Sequence, residues 1–103
     1  IVVDFGTATT FDAISAEAEY VGGVIAPGIE TSLDALTSRA ARLVRVDLVP
    51  PPRAIGKSTV ESMRSGIVFG TVAMVDGVVD RMVDELGDGT ITVATGGLAG
   101  MVT

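Results

Sequence analysis

The stretch IVVDFGTATTFDAIS, residues 1–15, contains the features that decide the fold of the chain. Residues 1–5 form a short run of mainly β-branched side chains that ends at Gly6, and this pattern predicts a buried strand. The threonines and aliphatic residues from Thr9 to Ser15 predict a second strand. A polar turn then leads to a third predicted strand, Tyr20 to Ala26. Strands joined by such short turns are typical of an antiparallel meander.

Two helices are predicted after the meander, because apolar residues recur three or four positions apart. The first runs from Thr31 to about Leu43, with Thr31 and Asp34 matching a capping box. The second runs from Ser58 to about Leu86, with Ser58 and Glu61 as its capping box. This second helix is so apolar that we expect it to be buried on two sides.

Glycines interrupt the second predicted helix at Gly66, Gly70 and Gly77. Each disfavours a helix interior by roughly 1 kcal/mol relative to alanine. We therefore expect another backbone to approach this helix closely.

Two further short strands are expected on either side of the long helix. The first is Val46 to Val49, just before three consecutive prolines, and the second is Thr90 to Ala94. After Thr90–Ala94, a turn is expected to open another helix at Leu98-Ala99. The chain as a whole therefore reads as an α/β domain with a mixed sheet and a long buried helix.

The 103 residues suffice for one domain with a modest core. Because the chain begins at Ile1 rather than Met and ends just past an apolar turn, we expect it to be part of a longer protein. The longest uncharged stretch of the long helix, Ser65 to Val75, is shorter than the roughly 20 apolar residues of a membrane span. We therefore expect no membrane association.

The charge and the missing residue types restrict the chemistry. The net charge is −6, and the seven basic residues are scattered, so binding to nucleic-acid phosphates is not expected. There is no cysteine and no histidine, which removes disulfides, thiol nucleophiles, the usual zinc sites and histidine bases. Any acid–base chemistry must come from carboxylates, lysine or tyrosine. The absence of cysteine is compatible with the cytoplasm.

The segment DFGTATT, residues 4–10, places a carboxylate at the end of a strand, followed by a glycine and hydroxyl groups. Gly6 permits close approach of a ligand to the backbone, and amides and threonine hydroxyls around such a turn can hold phosphate oxygens. Asp4 can hold a cation that offsets phosphate charge. An ordinary hairpin, with an aspartate bonded to its own turn, fits the pattern equally well.

The segment Gly56-Lys57-Ser58-Thr59 invites interpretation as a P-loop, but that motif needs a glycine five residues before the Gly-Lys pair. Position 51 is Pro and the preceding segment is rich in proline, so a P-loop is excluded. What remains is a helix amino terminus, which favours anions including carboxylates. Simple capping by Ser58 also explains the segment.

A glycine pair, Gly96-Gly97, follows the last predicted strand. Such a pair lets a flat ring or a ribose lie on the backbone, although a tight turn is the alternative. The same two interpretations apply to Gly22-Gly23 and Pro27-Gly28.

Four segments, taken in order and spacing, resemble the type III pantothenate kinases, a branch of the acetate and sugar kinase, heat-shock-70 and actin superfamily. They are residues 4–12, 22–29, 55–66 and 94–99. The resemblance implies a ribonuclease-H-like or actin-like ATPase half-domain. It further implies that residues 1–103 are a single carboxy-terminal nucleotide-binding half of a longer two-domain kinase.

The resemblance also implies a role for each matching position. Asp4 would bind a monovalent cation (K⁺ or NH₄⁺), and Thr7 beside Gly6 would contact ATP phosphates. Gly96 and Gly97 would lie against the adenosine. Thr59 would bind pantothenate, reaching the site from the partner subunit of a homodimer whose contact includes the long helix. Mg²⁺ would accompany ATP.

Members of this family carry a first phosphate loop and a catalytic aspartate upstream of the matched part, and neither motif appears in these 103 residues. The resemblance thus implies an enzyme that phosphorylates pantothenate in the cytoplasm as the first step of coenzyme A synthesis, with this chain inactive alone. Two alternatives remain open. One is a regulatory protein like the Bvg accessory factors, and the other is a superfamily kinase for another acceptor such as a sugar.

Overall fold

The computed structural model describes residues 1–40 and 42–97, which form an α/β arrangement around a four-stranded mixed sheet. The strands are β1 (Val2–Phe5), β2 (Ala8–Ile14), β3 (Tyr20–Pro27) and β4 (Val93–Thr95). The first three form the predicted antiparallel meander, while β4 pairs in parallel with β1, so the order is β3-β2-β1-β4. The prediction of a mixed sheet is confirmed.

The helical elements follow the meander and precede β4. They are α1 (Ile29–Arg39), α2 (Thr59–Arg64), a π-helical turn (Ser65–Phe69) and α3 (Gly70–Leu86). The long predicted helix therefore covers the expected residues, but it is not uniform: five residues in its first half adopt the wider π conformation. Single π-helical turns of this kind are rare and occur mostly inside α-helices.

The sheet buries one face, as strand alternation requires. Val3, Phe5 and Phe11 point to this face and are almost inaccessible to solvent. They pack with Met82 and with half-buried valines of α3 in the first hydrophobic cluster. Asp4 lies on the opposite face, and its carboxylate is therefore free to face solvent or a ligand.

A second hydrophobic cluster joins α1 to α2 and the π-helical turn. It contains Ile29, Leu33, Val46, Met63 and Ile67. The predicted strand at Val46–Val49 does not form, since residues 42–58 contain no strand. The side chain of Val46 is buried against helices instead, so its apolar character serves this cluster rather than a sheet.

The long helix is less buried than its sequence predicts. In α3 only Met82 is fully buried, and the remaining apolar residues are half-buried or exposed. No described atom lies within 4 Å of a Cβ built on Gly66 or Gly70, beyond their own local backbone, so no other backbone packs closely there. The expectation of burial on two sides is wrong for this chain by itself, because only one face of α3 has the sheet to cover it.

Helix α1 also begins and ends earlier than predicted. It starts at Ile29 after Gly28 and ends at Arg39, so Leu43 lies outside it. The predicted capping box does not form, because α1 begins at Ile29 with Gly28 as its N-cap and Thr31 already lies in the first turn. The Thr31 hydroxyl donates to the carbonyl oxygen of Thr7. The other member of the predicted box, Asp34, pairs with Arg45, and this hydrogen bond raises the pKa of the Arg45 guanidinium.

The helix expected at Leu98-Ala99 lies outside the described residues. Within residues 1–40 and 42–97, no helix has the length and apolar character needed to cross a bilayer.

Candidate functional site

A row of polar side chains crosses three strands on the uncovered face of the sheet. Asp4 pairs with Thr10 of β2 on one side and with Thr95 of β4 on the other. Directly opposed residues on neighbouring strands project from the same face, so the three side chains stand side by side. Asp4 and Thr95 are exposed and Thr10 is half-buried. The row places one negative charge between two hydroxyls.

The parallel pairing of β1 with β4 brings the two predicted ATP segments together. A Cβ atom built on Gly96 would stand 2.7 Å from Oδ1 of Asp4 and 2.6 Å from the carbonyl oxygen of Phe5. Gly96 has a φ of +100°, which L-residues with side chains rarely adopt. Close packing and backbone conformation therefore both require glycine here, whereas a Cβ on Gly97 would meet no described atom within 4 Å.

The turn between β1 and β2 stands at the same end of the sheet. Gly6 and Thr7 form this turn, which the N–H of Gly6 closes by donating to the carbonyl oxygen of Ala8 (3.1 Å). Gly6 lies beside the Asp4 carboxylate, since its missing Cβ would stand 4.0 Å from Oδ2. Thr7 is exposed, and its hydroxyl forms no hydrogen bond with the described residues. A free hydroxyl and exposed backbone next to a carboxylate suit binding of a phosphate together with a cation.

The oxygen atoms around Asp4 could hold a cation. Among residues 1–40 and 42–97, Asp4 has no salt-bridge partner, and no group of three or more acidic, histidine or cysteine side chains gathers to hold a metal. One carboxylate, flanked by hydroxyls and the carbonyl oxygen of Phe5, supplies oxygen ligands with a single negative charge. Such a ligand set could hold one cation beside a phosphate, and Mg²⁺ too is bound in proteins through one or two carboxylates.

Thr59 has no described contact with this cluster. It is the first residue of α2, is exposed, and makes no described hydrogen bond or close contact with Asp4, Thr7 or Gly96. Its helix packs through Met63 into the second hydrophobic cluster. The structure therefore brings together Asp4, Gly6, Thr7 and Gly96, whereas no described hydrogen bond links Thr59 to any of them.

The predicted capping box at the start of α2 is present in a shifted form. The N–H of Glu61 donates to Oγ of Ser58 (3.2 Å), as expected. The carboxylate of Glu61 accepts from the N–H of Lys57 (2.6 Å) rather than from Ser58 itself. Gly56 lets the preceding loop fold against this helix, because a Cβ there would stand 2.5 Å from the nitrogen of Ser62. With no strand before it, the segment is not a P-loop.

Two residues outside the predicted site contact the β1–β2 turn. The hydroxyl of Thr31 donates to the carbonyl oxygen of Thr7 (2.9 Å). A Cβ on Gly28 would stand 2.1 Å from the same oxygen and 2.6 Å from that of Gly6. The Pro27-Gly28 pair at the end of β3 is the only sequence signal of this contact, and it is equally typical of an ordinary turn.

The hollow with the best-defined lining among the described residues lies away from the Asp4 cluster. This hollow of about 520 Å³ lies at the opposite end of β2 and β3, lined by residues that include Ala13, Gly23 and Leu86. None of Asp4, Gly6, Thr7 and Gly96 belongs to it.

Comparison with known proteins identifies relatives over the whole chain. The sequence profile of the type III pantothenate kinases matches residues 1–81. A type III pantothenate kinase of Moorella thermoacetica is 61% identical over 102 residues, and one of Frankia alni is 57% identical. These matches cover 99% of this chain but only 40% and 41% of the relatives, so the chain spans about two fifths of their length.

A solved structure shows the same fold at lower identity. A protein of Campylobacter jejuni assigned to the Baf family of transcriptional activators superimposes with a TM-score of 0.69, covering 98% of this chain and 44% of its own. At 24% identity this similarity concerns the fold alone. The family profile and the identities of up to 61% to named kinases are decisive: the chain belongs to the type III pantothenate kinase family.

Proposed function

We propose that the full-length protein transfers the γ-phosphoryl group of ATP to pantothenate, the first step of coenzyme A synthesis. This chain would be the carboxy-terminal, actin-like half-domain of that enzyme. The observation that carries the proposal is the convergence of Asp4, Gly6, Thr7 and Gly96 at one end of the sheet in a member of this kinase family. A cytoplasmic location, without membrane or nucleic-acid binding, belongs to the same proposal.

Phosphoryl transfer depends mainly on positioning and on neutralising charge. The exposed hydroxyl of Thr7 would donate to a phosphate oxygen, and the amides of the turn would orient the phosphate chain. The Asp4 carboxylate would hold a monovalent cation, which supplies positive charge beside the phosphates. Gly97, with open space at its Cα, would offer a flat backbone surface to the adenosine, while Gly96 keeps β4 close to Asp4. Mg²⁺ would enter with ATP.

The residue that binds pantothenate and the catalytic base would both come from outside the Asp4 cluster. Thr59 would bind pantothenate in the active site of a partner subunit, a proposal supported by its exposure and its distance from the Asp4 cluster in sequence and packing. The open surfaces at Gly66 and Gly70 would receive a second copy of the chain in a homodimer. The catalytic aspartate would lie in the other domain, so this chain alone should show no turnover.

A coupled kinase assay on the full-length protein tests the proposal. Turnover with ATP and pantothenate that requires K⁺ or NH₄⁺ is the expected result. Absence of turnover in a folded protein, across both cations, would overturn it in favour of a regulatory protein of the same fold. Turnover with a sugar but not with pantothenate would identify another kinase of the superfamily.

A further inference from the structure

We propose that Gly28 and Thr31 are positioning residues for ATP, because together they hold the carbonyl side of the Gly6-Thr7 turn in place. This role rests on the proposed contact between Thr7 and ATP. It concerns the first turn of α1, which none of the predicted site residues occupies.

Gly28 is required for space rather than for backbone conformation. Its φ of −69° and ψ of 159° are open to any residue, so flexibility does not explain a glycine here. Its missing Cβ would stand within 2.1 Å of the Thr7 carbonyl oxygen and 2.6 Å of that of Gly6. Any side chain at this buried position would push the turn away from α1.

Thr31 stabilises the contact between α1 and the turn through a hydrogen bond. Its hydroxyl donates to the Thr7 carbonyl oxygen over 2.9 Å, across 24 residues of sequence. This hydrogen bond therefore fixes the turn at Thr7, the residue whose hydroxyl and amide would face the phosphates. A displacement of about 1 Å at such a residue can reduce rates by two orders of magnitude.

The support beneath the turn is rigid. Pro27 pairs with Ala8 in the sheet and accepts a hydrogen bond from the hydroxyl of Thr9 (3.3 Å). On the other side, Ile29 is 2% exposed and Leu33 is fully buried in the second hydrophobic cluster. Neither side of Gly28 can shift freely to accommodate a larger residue, so the turn itself must move.

Substitutions in the full-length protein test this role through separate KM values for ATP and pantothenate. Thr31→Val keeps the size of the side chain and removes its hydrogen bond, and should raise the KM for ATP about 3- to 10-fold. Thr31→Ser keeps the hydroxyl and should restore the value. Gly28→Ala should raise it about tenfold or more, since it displaces the turn itself. The KM for pantothenate should stay within about twofold in all three.

Thr37→Val is the matched control. Thr37 lies on the same helix, but its hydroxyl donates to carbonyl oxygens of α1 itself (Leu33 and Asp34), so both KM values should stay unchanged. Melting temperatures, measured for every variant, separate loss of folding from loss of positioning. If Gly28→Ala does not fold, the comparison of Thr31→Val with Thr31→Ser still tests the positioning role.

Thr7→Val distinguishes failure of the two proposals. An unchanged KM for ATP in Thr7→Val would overturn the ATP contact and the positioning role that rests on it. A raised KM in Thr7→Val, with unchanged values in folded Thr31→Val and Gly28→Ala, would overturn the positioning role alone. Equal increases in both KM values for Thr31→Val would also contradict it, since they indicate a general structural effect.

Discussion

The carboxylate of Asp4 occupies the space that a side chain at Gly96 would need, since a methyl group on Gly96 would stand 2.7 Å from Oδ1 of Asp4. Residues 92 positions apart thus share one small volume at the end of the sheet. The parallel pairing of β1 with β4, which places Asp4 beside Thr95, creates this arrangement. Any change in Gly96 is therefore also a change at Asp4.

Gly96→Ala and Gly97→Ala should have different effects on stability although they are neighbours. Gly96 has φ +100° and lies against β1, so alanine there should lower the free energy of unfolding by about 1–3 kcal/mol. A Cβ on Gly97 would meet no described atom, so alanine there should change the free energy of unfolding by less than about 0.5 kcal/mol. Urea denaturation of the full-length variants measures both. Equal destabilisation would contradict the packing of Gly96 on Asp4.

Asp4→Asn should weaken activation by potassium. Removing the one negative charge of the polar row should raise the K⁺ concentration for half-maximal activity by about 10- to 100-fold. Kinase assays over a KCl series measure this concentration. Asp12→Asn is the control, because Asp12 lies on the same face but opposite Val2, one row away. An unchanged potassium dependence in Asp4→Asn would show that the cation binds elsewhere.

Thr59→Val and Ser58→Ala separate substrate binding from helix capping at the start of α2. The hydroxyl of Ser58 caps the helix, so Ser58→Ala should lower the free energy of unfolding by about 1 kcal/mol with little change in the KM for pantothenate. Thr59→Val should do the reverse, raising that KM about 3- to 10-fold at nearly constant stability. Steady-state kinetics and thermal melts measure the two effects. If Thr59→Val leaves the KM unchanged, the pantothenate contact is wrong.

Gly70→Leu should weaken the proposed homodimer. Gly70 lies on an open surface of α3, where a leucine meets no described atom of its own chain but would obstruct a second copy. We expect the dimer dissociation constant to rise at least about tenfold, equivalent to a clash of about 1.4 kcal/mol. Sedimentation equilibrium of the full-length protein measures it. Asp76→Leu adds the same side chain about 120° away around the helix and should leave the constant unchanged.

Variants of Gly70 that stabilise the protein and leave the dimer intact would contradict the dimer contact at this position. In a free helix, Gly70→Ala should stabilise by roughly 0.5–1 kcal/mol, since alanine restricts the unfolded chain and favours the helix. If Gly70→Leu and Gly70→Ala both leave the dimer intact and raise its melting temperature, the second copy does not pack against Gly70.

The sequence by itself determined the three strands of the meander, the long helical segment and the candidate ligand positions. These depend on local signals: β-branched runs, apolar residues at helical spacing, and glycines after strands. The capping of α2 by Ser58 belongs with them, because donor and acceptor are three residues apart. The resemblance to pantothenate kinases arose from the same short segments, and the comparisons confirmed it.

Only the tertiary structure decided which partner each polar group takes and which face each element buries. Thr31 was predicted to cap its own helix, but α1 starts earlier, at Ile29, and the fold brings the Thr31 hydroxyl to the carbonyl oxygen of Thr7. Val46 was predicted in a strand, yet residues 42–58 form none, and its side chain is buried against the helices instead. Gly28 and Gly96 are required for the same reason. In each case the fold places backbone atoms of the β1–β2 region where a side chain would stand.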